Sequence, residues 1–145
     1  DSRILPFGSF LRKTKINELP QLFNIFLGHM AIIGPRPQTI RCFTAFPEKS
    51  QTEIIKVRPG LSGIGSIIFR NEEKMIGENI SDFYDNEIMP YKGLLEEWYV
   101  NNKSIIVDML LIKLTVWVIF FPNSKLVWKV FRTLPSPSKE LSRFF

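Results

Sequence analysis

The sequence predicts an α+β domain that is predominantly helical, with a few short strands. Helical periodicity is clear from Leu19, where apolar residues recur every three or four positions. A second, strongly apolar run covers residues 105–121. Short apolar runs also adjoin two turns rich in proline and glycine, and such runs are typical of buried strands. The length of 145 residues suits one domain with a modest core.

The first predicted helix begins at Leu19 and ends near Gly28. Its apolar side chains fall on one stripe, formed by Leu19, Leu22, Phe23, Phe26 and Leu27. Pro20 lies in the first turn, where the missing N–H costs little. Gly28 is a candidate C-cap, because glycine adopts the left-handed backbone that often ends a helix.

Two proline-containing turns follow, and the predicted strands lie beside them. Ala31–Ile33 is a short apolar run typical of a buried strand, and the turn Gly34–Pro37 follows it directly. A helix is predicted over residues 47–57, ending before Pro59. The segment Leu61–Phe69 is rich in Ile and Gly, which predicts a strand with tight bends.

Residues 70–101 are predicted to be helical in part. The charged stretch 70–89 is expected to end at Pro90, and Glu96–Asn101 is expected to form another short helix.

The apolar run Ile105–Phe121 is about as long as a short membrane span. However, Asp108 and Lys113 lie inside it, and each charge near the centre of a bilayer costs roughly 2.5–3.5 kcal/mol. Pro122 then ends the run. A core helix or an interfacial helix is therefore predicted here, in preference to a span.

The C-terminal region combines apolar and basic residues. Within Lys125–Leu134, apolar positions form a stripe while Lys125, Lys129 and Arg132 occupy other faces. This pattern is typical of a basic amphipathic helix lying on an anionic membrane, and equally of an ordinary surface helix. The tail 135–145, which contains Pro, Ser and Lys, is predicted to be flexible.

Charge and cysteine content narrow the possible functions. The formal net charge of +5 favours anionic partners such as phosphates, nucleic acid or an acidic membrane surface. A nucleic-acid-binding module would need aromatic residues interleaved with the cations, and we find none, so nucleic acid is not expected as a partner. Cys42 is the only cysteine, so no internal disulfide can form, and His29 lacks partners for a zinc site. A Cys-His nucleophile pair is conceivable but is not supported by any motif.

The candidate chemistry centres on Glu18 and on a group of cations. A carboxylate at a helix start is favoured by the helix dipole and could hold Mg²⁺, although dipole compensation alone would also explain it. If the two turns fold beside this helix start, several cations would surround Glu18 in a pocket suited to a diphosphate, namely Arg12, Lys13, Arg36, Arg41, Lys56 and Arg58. The alternative is solvated surface charge. Arg36 is the strongest candidate, because prolines on both sides fix its backbone.

Four blocks of sequence resemble the bacterial sugar transferase family, the monotopic phosphoglycosyl transferases. NELPQLFN, at residues 17–24, resembles that family's DELPQLxN. Gly28–Pro37 resembles its glycine-to-GPRP motif, with His29 and Ala31 at positions that hold Asp and Ser in the family. Lys56–Gly65 resembles its KxRPG turn, and residues 90–108 are similar to a subgroup's C-terminal region.

The resemblance implies a membrane enzyme that transfers a sugar 1-phosphate from a UDP-sugar to polyprenyl (undecaprenyl) phosphate and releases UMP. This reaction starts the assembly of exopolysaccharide, O-antigen, capsule or glycoprotein glycans. In the family, the Asp of an Asp-Glu pair attacks the β-phosphate, and the Glu helps to hold Mg²⁺. By resemblance, Glu18 is the catalytic and metal-binding carboxylate, and Arg36 is the arginine of the Pro-Arg-Pro turn.

Asn17 departs from this pattern, since it occupies the position of the nucleophilic Asp. A neutral carboxamide is a far poorer nucleophile than a carboxylate. Glu18 could take over the attack, the subgroup could use another route, or the chain could be a catalytically disabled membrane-associated scaffold of the same fold. As a purely structural element, Asn17 is also a good N-cap.

By the same resemblance, residues 1–145 are expected to form one catalytic domain of a monotopic protein, as a fragment without an upstream membrane helix. Residues 1–104 would be the catalytic core and 105–134 the interfacial helices. The expected location is the cytoplasmic face of the bacterial inner membrane. The sequence leaves the sugar, the lipid length and the oligomeric state open.

Overall fold

The computed structural model describes residues 19–70 and 80–145, and in these ranges it is mainly helical with two short strands. The first part contains α1 (Leu19–Phe26), β1 (Ala31–Ile33), α2 (Ile40–Thr44), α3 (Glu48–Ile54), β2 (Gly60–Ser62) and α4 (Ile64–Ile68). The second part contains α5 (Ile80–Phe83), a π-helical turn (Tyr84–Ile88), α6 (Met89–Asn102), α7 (Ile105–Phe120), α8 (Leu126–Val130) and a 3₁₀ turn (Leu141–Phe144). The predicted α+β, predominantly helical class is confirmed.

Helix α1 ends as the sequence predicts. Gly28 has a φ of 79°, which is left-handed backbone. The N–H of Gly28 donates to Ile25 O at 3.0 Å, and the N–H of His29 donates to Asn24 O at 2.8 Å. These two bonds form a Schellman motif, which satisfies carbonyl groups that the end of a helix otherwise leaves unpaired.

Strands β1 and β2 pair in parallel and bring the two proline-containing turns together. Ala31 is opposite Gly60, and Ile33 is opposite Ser62. Parallel strands need a crossover connection, and here α2 and α3 supply it. The chain after β1 then folds back along β2, since the N–H of Gly60 donates to Pro35 O at 2.9 Å, and this brings the turn after β1 to the turn before β2.

Helix α6 is the centre of the core. It packs against α2, α3 and α4, and α7 packs against α4 and β1. The fully buried side chains of the main core include Ile64, Leu95, Tyr99, Leu111 and Leu141. Because residues from α4, α6, α7 and the C-terminal segment meet in one cluster, these elements form one continuous hydrophobic core.

Two of the predicted elements differ from the structure. Leu61–Phe69 was predicted as a strand, but only Gly60–Ser62 is extended and Ile64–Ile68 is helical. Short apolar runs fit a buried helix and a buried strand equally well, so periodicity could not separate them. Pro90 does not end a helix either, since it lies in the first turn of α6, where its missing N–H is tolerated.

Helix α7 covers the apolar run that the sequence predicts as a core or interfacial helix. None of the helices in the two described ranges has the length and apolar character needed to cross a membrane. Asp108, inside this helix, has a partner: Tyr99 Oη lies 2.7 Å from Asp108 Oδ1 and 3.2 Å from Ile33 O. The hydroxyl of Tyr99 therefore joins α6 to both α7 and β1.

The C-terminal region packs onto the same core. Helix α8 is shorter than the predicted helix Lys125–Leu134, because it ends at Val130. Val127 in the helix is buried, as are Phe131 and Leu134 beyond its end. Tyr91 Oη donates to Pro135 O at 2.8 Å, and Leu141 is fully buried. The segment 135–145, for which composition predicts flexibility, thus lies against the core. Although this segment is polar in composition, it makes a few apolar contacts, among them an edge-to-face pair between Phe69 and Phe145.

The closeness of the two turns predicts that Gly60→Ala destabilises the protein strongly. A Cβ on Gly60 would overlap the backbone of Gly34, which cannot move without breaking β1–β2 pairing. We expect a loss of about 3 kcal/mol or more in unfolding free energy, measured by denaturant titration of the full-length protein. Gly28→Ala is the control. It is strained by its positive φ but meets no backbone atom, and should cost about 1–2 kcal/mol. Equal losses in both variants would contradict the close approach.

Candidate functional site

The candidate site is built on a direct backbone contact between the turns Gly34–Pro37 and Arg58–Gly60. The N–H of Gly60 donates to Pro35 O, and the N–H of Gly34 donates to Ser62 O, each at 2.9 Å. A Cβ on Gly34 would lie 2.6 Å from Arg58 O. Glycine is needed at these positions because any side chain would push the turns apart.

The contact brings the backbones of Arg36 and Arg58 together. Arg36 follows Pro35, and Arg58 lies two residues before Gly60, so the Gly60–Pro35 hydrogen bond joins the two short segments. Both arginines are exposed, and within residues 19–70 and 80–145 neither has an ion pair. Two guanidinium groups without carboxylate partners suit an anionic ligand, because arginine contacts phosphate oxygens in bidentate fashion.

Arg58 also approaches the end of α1. Its Nη1 lies 3.6 Å from the position that a Cβ would take on Gly28. The C-terminal end of a helix carries partial negative charge, which favours a cation there. Arg58 therefore lies at the end of α1 opposite to Leu19, and α1, with 8 residues, is about 12 Å long.

Arg41 and Lys56, the other two described candidates, already have carboxylate partners. Arg41 Nη2 lies 2.9 Å from Asp85 Oδ2, and this hydrogen bond raises the pKa of the guanidinium. Lys56 Nζ lies 2.6 Å from Glu53 Oε1 in the neighbouring helix. Exposed ion pairs are weak, so either cation can exchange its partner for a ligand, whereas Arg36 and Arg58 have no ion pair to lose among the described residues.

The remaining predicted site residues, Arg12, Lys13, Asn17 and Glu18, lie outside the residues that the structure describes. Helix α1 begins at Leu19, so Glu18 directly precedes its first residue in the sequence. The placement of Glu18 near the arginine-bearing turns stays a prediction.

Glu96 was not predicted as a site residue, yet it lies beside the turn that carries Arg36 and the segment Gly63–Gly65 that follows β2. Its side chain is 5% exposed. Glu96 Oε1 is 2.5 Å from the position of a Cβ on Gly65, and Oε2 is 3.8 Å from that of a Cβ on Gly63. In the sequence, Lys92 and Glu96 are one helical turn apart, but this spacing is equally typical of a solvated helix surface and does not single out Glu96.

Burial changes the acidity of Glu96. Desolvation raises the pKa of its carboxyl group to about 8, because the charged form loses its water. The backbone N–H groups of Gly65 and Arg36 and the charge of Lys92 lower the pKa, but they offset only part of this effect. The adjacent Glu97 behaves differently, since a hydrogen bond from the Ser50 hydroxyl lowers its pKa.

The metal site expected at Glu18 receives no ligand cluster from the described part of the chain. Residues 19–70 and 80–145 contain no group of three His, Cys, Asp or Glu side chains able to hold a metal ion. The role of Glu18 in holding Mg²⁺ stays a prediction.

Comparisons with known proteins identify the family of this chain. Residues 1–122 match the family model described as bacterial sugar transferase, and the chain belongs to that family. It is 36% identical over 119 residues to the galactosyl transferase CpsE of Streptococcus agalactiae, which covers 82% of this chain and 23% of that protein. It is 30% identical over 126 residues to the UDP-glucose:undecaprenyl-phosphate glucose-1-phosphate transferase of Klebsiella pneumoniae, covering 86% of this chain and 25% of that protein.

A third relative is the undecaprenyl-phosphate galactose phosphotransferase of Salmonella typhimurium, 29% identical over 119 residues, covering 82% of this chain and 22% of that protein. The chain thus spans about a quarter of the length of each of these relatives. The matched family region ends at Pro122, so α8 and the C-terminal segment lie beyond it.

The pKa of Glu96 predicts a pH-dependent stability. Between its ordinary value of 4.5 and about 8, Glu96 is protonated when folded and ionised when unfolded. Folding then takes up a proton, so stability falls as the pH rises through this window and levels off above it. The glutamine in the Glu96→Gln variant cannot ionise, so the variant lacks this pH-dependent contribution to stability.

The measurement compares the melting temperatures of the wild type and Glu96→Gln between pH 5 and pH 8.5, since all other titrating groups are shared. We expect the wild type to lose stability relative to the variant as the pH rises. A difference that does not change with pH would contradict a raised pKa.

Proposed function

We propose that the chain is the catalytic part of an enzyme that transfers a sugar 1-phosphate from a UDP-sugar to polyprenyl phosphate, releasing UMP. Membership of the bacterial sugar transferase family and the names of the relatives support this reaction. The observation that carries the proposal is the contact between the turns that bear Arg36 and Arg58, two exposed arginines without an ion pair within residues 19–70 and 80–145.

The two arginines would bind the diphosphate of the donor. Their guanidinium groups would neutralise its charge and hold the β-phosphate for attack, and charge stabilisation of this kind is a large part of phosphoryl transfer. UMP would leave when the bond between the α-phosphate and the β-phosphate breaks. If Mg²⁺ is bound, it would neutralise further charge on the same diphosphate.

Because Asn17 occupies the position of the family's nucleophile, the residue that attacks the β-phosphate has to be assigned. If Glu18 attacks, its carboxylate oxygen forms a bond to the β-phosphorus, and UMP leaves with the electron pair of the broken P–O bond. A phosphate oxygen of the polyprenyl phosphate then attacks the same phosphorus and releases the Glu18 carboxylate. An Asn17 amide, being neutral, would not supply this oxygen.

A second candidate function is a membrane-associated scaffold without catalysis. The specific observation in its favour is Asn17, at the position of the family's nucleophilic Asp. This candidate keeps the same fold and the same ligand-binding turns but lacks turnover.

The apolar surface supports a position at a membrane face. On α1, Phe23 is 70% and Phe26 is 90% exposed, and Leu22 and Leu27 lie on the same stripe. Helix α7 exposes Ile105, Ile106 and Phe120, among others. Contiguous exposed apolar residues of this size are unusual on soluble surfaces. We propose that these faces contact lipid on the cytoplasmic side of the bacterial inner membrane, with Lys125, Lys129 and Arg132 favouring anionic headgroups.

Release of UMP tests the enzyme against the scaffold. The full-length protein in membranes is supplied with UDP-N-acetylhexosamines, polyprenyl phosphate and Mg²⁺. We expect the wild type to release UMP and Glu18→Gln to reduce the rate by more than about a hundredfold, because a carboxamide replaces the charged oxygen. Asn17→Asp is the matched variant, since it restores the family's carboxylate. UMP release from Asn17→Asp alone would mean that the natural chain is a scaffold.

Lipid contact is tested by the labelling of engineered cysteines in a Cys42→Ser background. We expect Phe26→Cys in proteoliposomes to react with a water-soluble maleimide more slowly than Thr52→Cys by an order of magnitude, because acyl chains shield α1. Thr52 is an exposed residue on the polar surface of α3 and serves as the control. Similar labelling rates at both positions would show that α1 does not contact the membrane.

A further inference from the structure

Glu96 is a buried acidic side chain to which sequence patterns assign no role. It lies on α6 beside the turn that carries Arg36, and 5% of its surface is exposed. Its Oε2 atom has no hydrogen-bond partner among the described residues. A buried carboxyl group with an unsatisfied oxygen costs free energy, so its presence requires a compensating contact elsewhere in the structure.

The compensating contacts reach the turn that carries Arg36 and the start of α4. The backbone N–H of Arg36, in the turn after β1, and that of Gly65, at the start of α4, both favour the charged form of Glu96 by hydrogen bonding. Gly65 lies three residues beyond β2, whose other end is preceded by Arg58. One carboxyl group thus connects the turn that carries Arg36 to the start of α4, which β2 joins in sequence to the turn that carries Arg58.

The neighbouring Glu97 shows that burial on this helix does not by itself create such a link. Glu97 is 8% exposed, close to the value for Glu96. Its carboxylate accepts a hydrogen bond from Ser50 Oγ at 2.8 Å and lies 3.1 Å from Lys49 Nζ, so it binds α6 to α3. Two adjacent carboxyl groups therefore face different parts of the structure, and only Glu96 faces the turns.

We propose that Glu96 is a positioning residue that holds the Arg36 and Arg58 turns in register and thereby sets the affinity for the diphosphate of the sugar donor. The role of the donor rests on the proposed function, whereas the control of the turns by Glu96 does not. Glu96 touches no reacting atom in this scheme and acts through the backbone of the turns. Its replacement should therefore weaken binding of the donor more than it slows the chemical step.

The experiment compares Glu96→Met, Glu96→Gln and Glu97→Met in the full-length protein. Methionine keeps the length of the side chain but accepts no hydrogen bond from Arg36 or Gly65, whereas glutamine retains an acceptor oxygen. We expect Glu96→Met to raise the KM for the UDP-sugar about tenfold with little change in kcat, and Glu96→Gln to restore most of the affinity. Glu97→Met should leave the KM near the wild-type value.

Amide hydrogen exchange supplies a readout that does not require activity. We expect faster exchange at residues 34–36 and 60–65 in Glu96→Met, with α7 unchanged, and no such increase at these turns in Glu97→Met. If the wild type transfers no phosphosugar, the proposed function fails, but exchange at the turns still decides whether Glu96 holds them.

Gly65→Ala provides a second variant if Glu96→Met does not fold. The added Cβ would meet Glu96 Oε1, the end of a flexible side chain, and would displace the carboxyl group with little change to the backbone. It should reproduce the faster exchange and the higher KM. Unchanged exchange at the turns in a folded Glu96→Met or in Gly65→Ala would overturn the proposal, as would an equal effect of Glu97→Met.

Discussion

The close approach of Gly34 to Gly60 is the contact on which the rest of the site depends. The contact requires glycine at both positions. It fixes two turns in which proline already restricts the backbone. Through it, the backbones of Arg36 and Arg58, which are 22 positions apart in the sequence, come close together. The backbone contact therefore holds the two arginine-bearing turns beside each other.

Helix α6 stabilises the two turns and the elements around them through three polar side chains that face in different directions. Glu96 faces the turns, Glu97 faces Ser50 on α3, and Tyr99 reaches both Asp108 on α7 and the carbonyl of Ile33. Apolar packing alone would tolerate small rotations of α6 about its axis. Buried polar groups tolerate them less well, because each rotation would leave several hydrogen-bonding atoms unsatisfied. The polar contacts thus set the orientation of the helix, while apolar burial supplies most of its stability.

Local signals in the sequence were enough for some elements and not for others. The end of α1 at Gly28, strand β1 and the helix over the apolar run that begins at Ile105 follow from periodicity and turn residues. The helix Ile64–Ile68 was missed because a fully buried segment has no polar face to reveal its period. Arg36 could be singled out from its flanking prolines. Glu96 could not, since its importance comes from Gly65 and from the backbone of Arg36, both distant in sequence.

The parallel pairing of β1 with β2 has a consequence for the order of folding. These strands meet only after the intervening chain, with α2 and α3, has closed a long loop, whereas α6 and α7 are neighbours in sequence and can associate early. The arginine-bearing surface is therefore expected to form late. A partially folded molecule would retain most of its helices and yet lack the arginine-bearing surface. Circular dichroism at the helical wavelengths would then report a nearly normal protein when this surface has not formed.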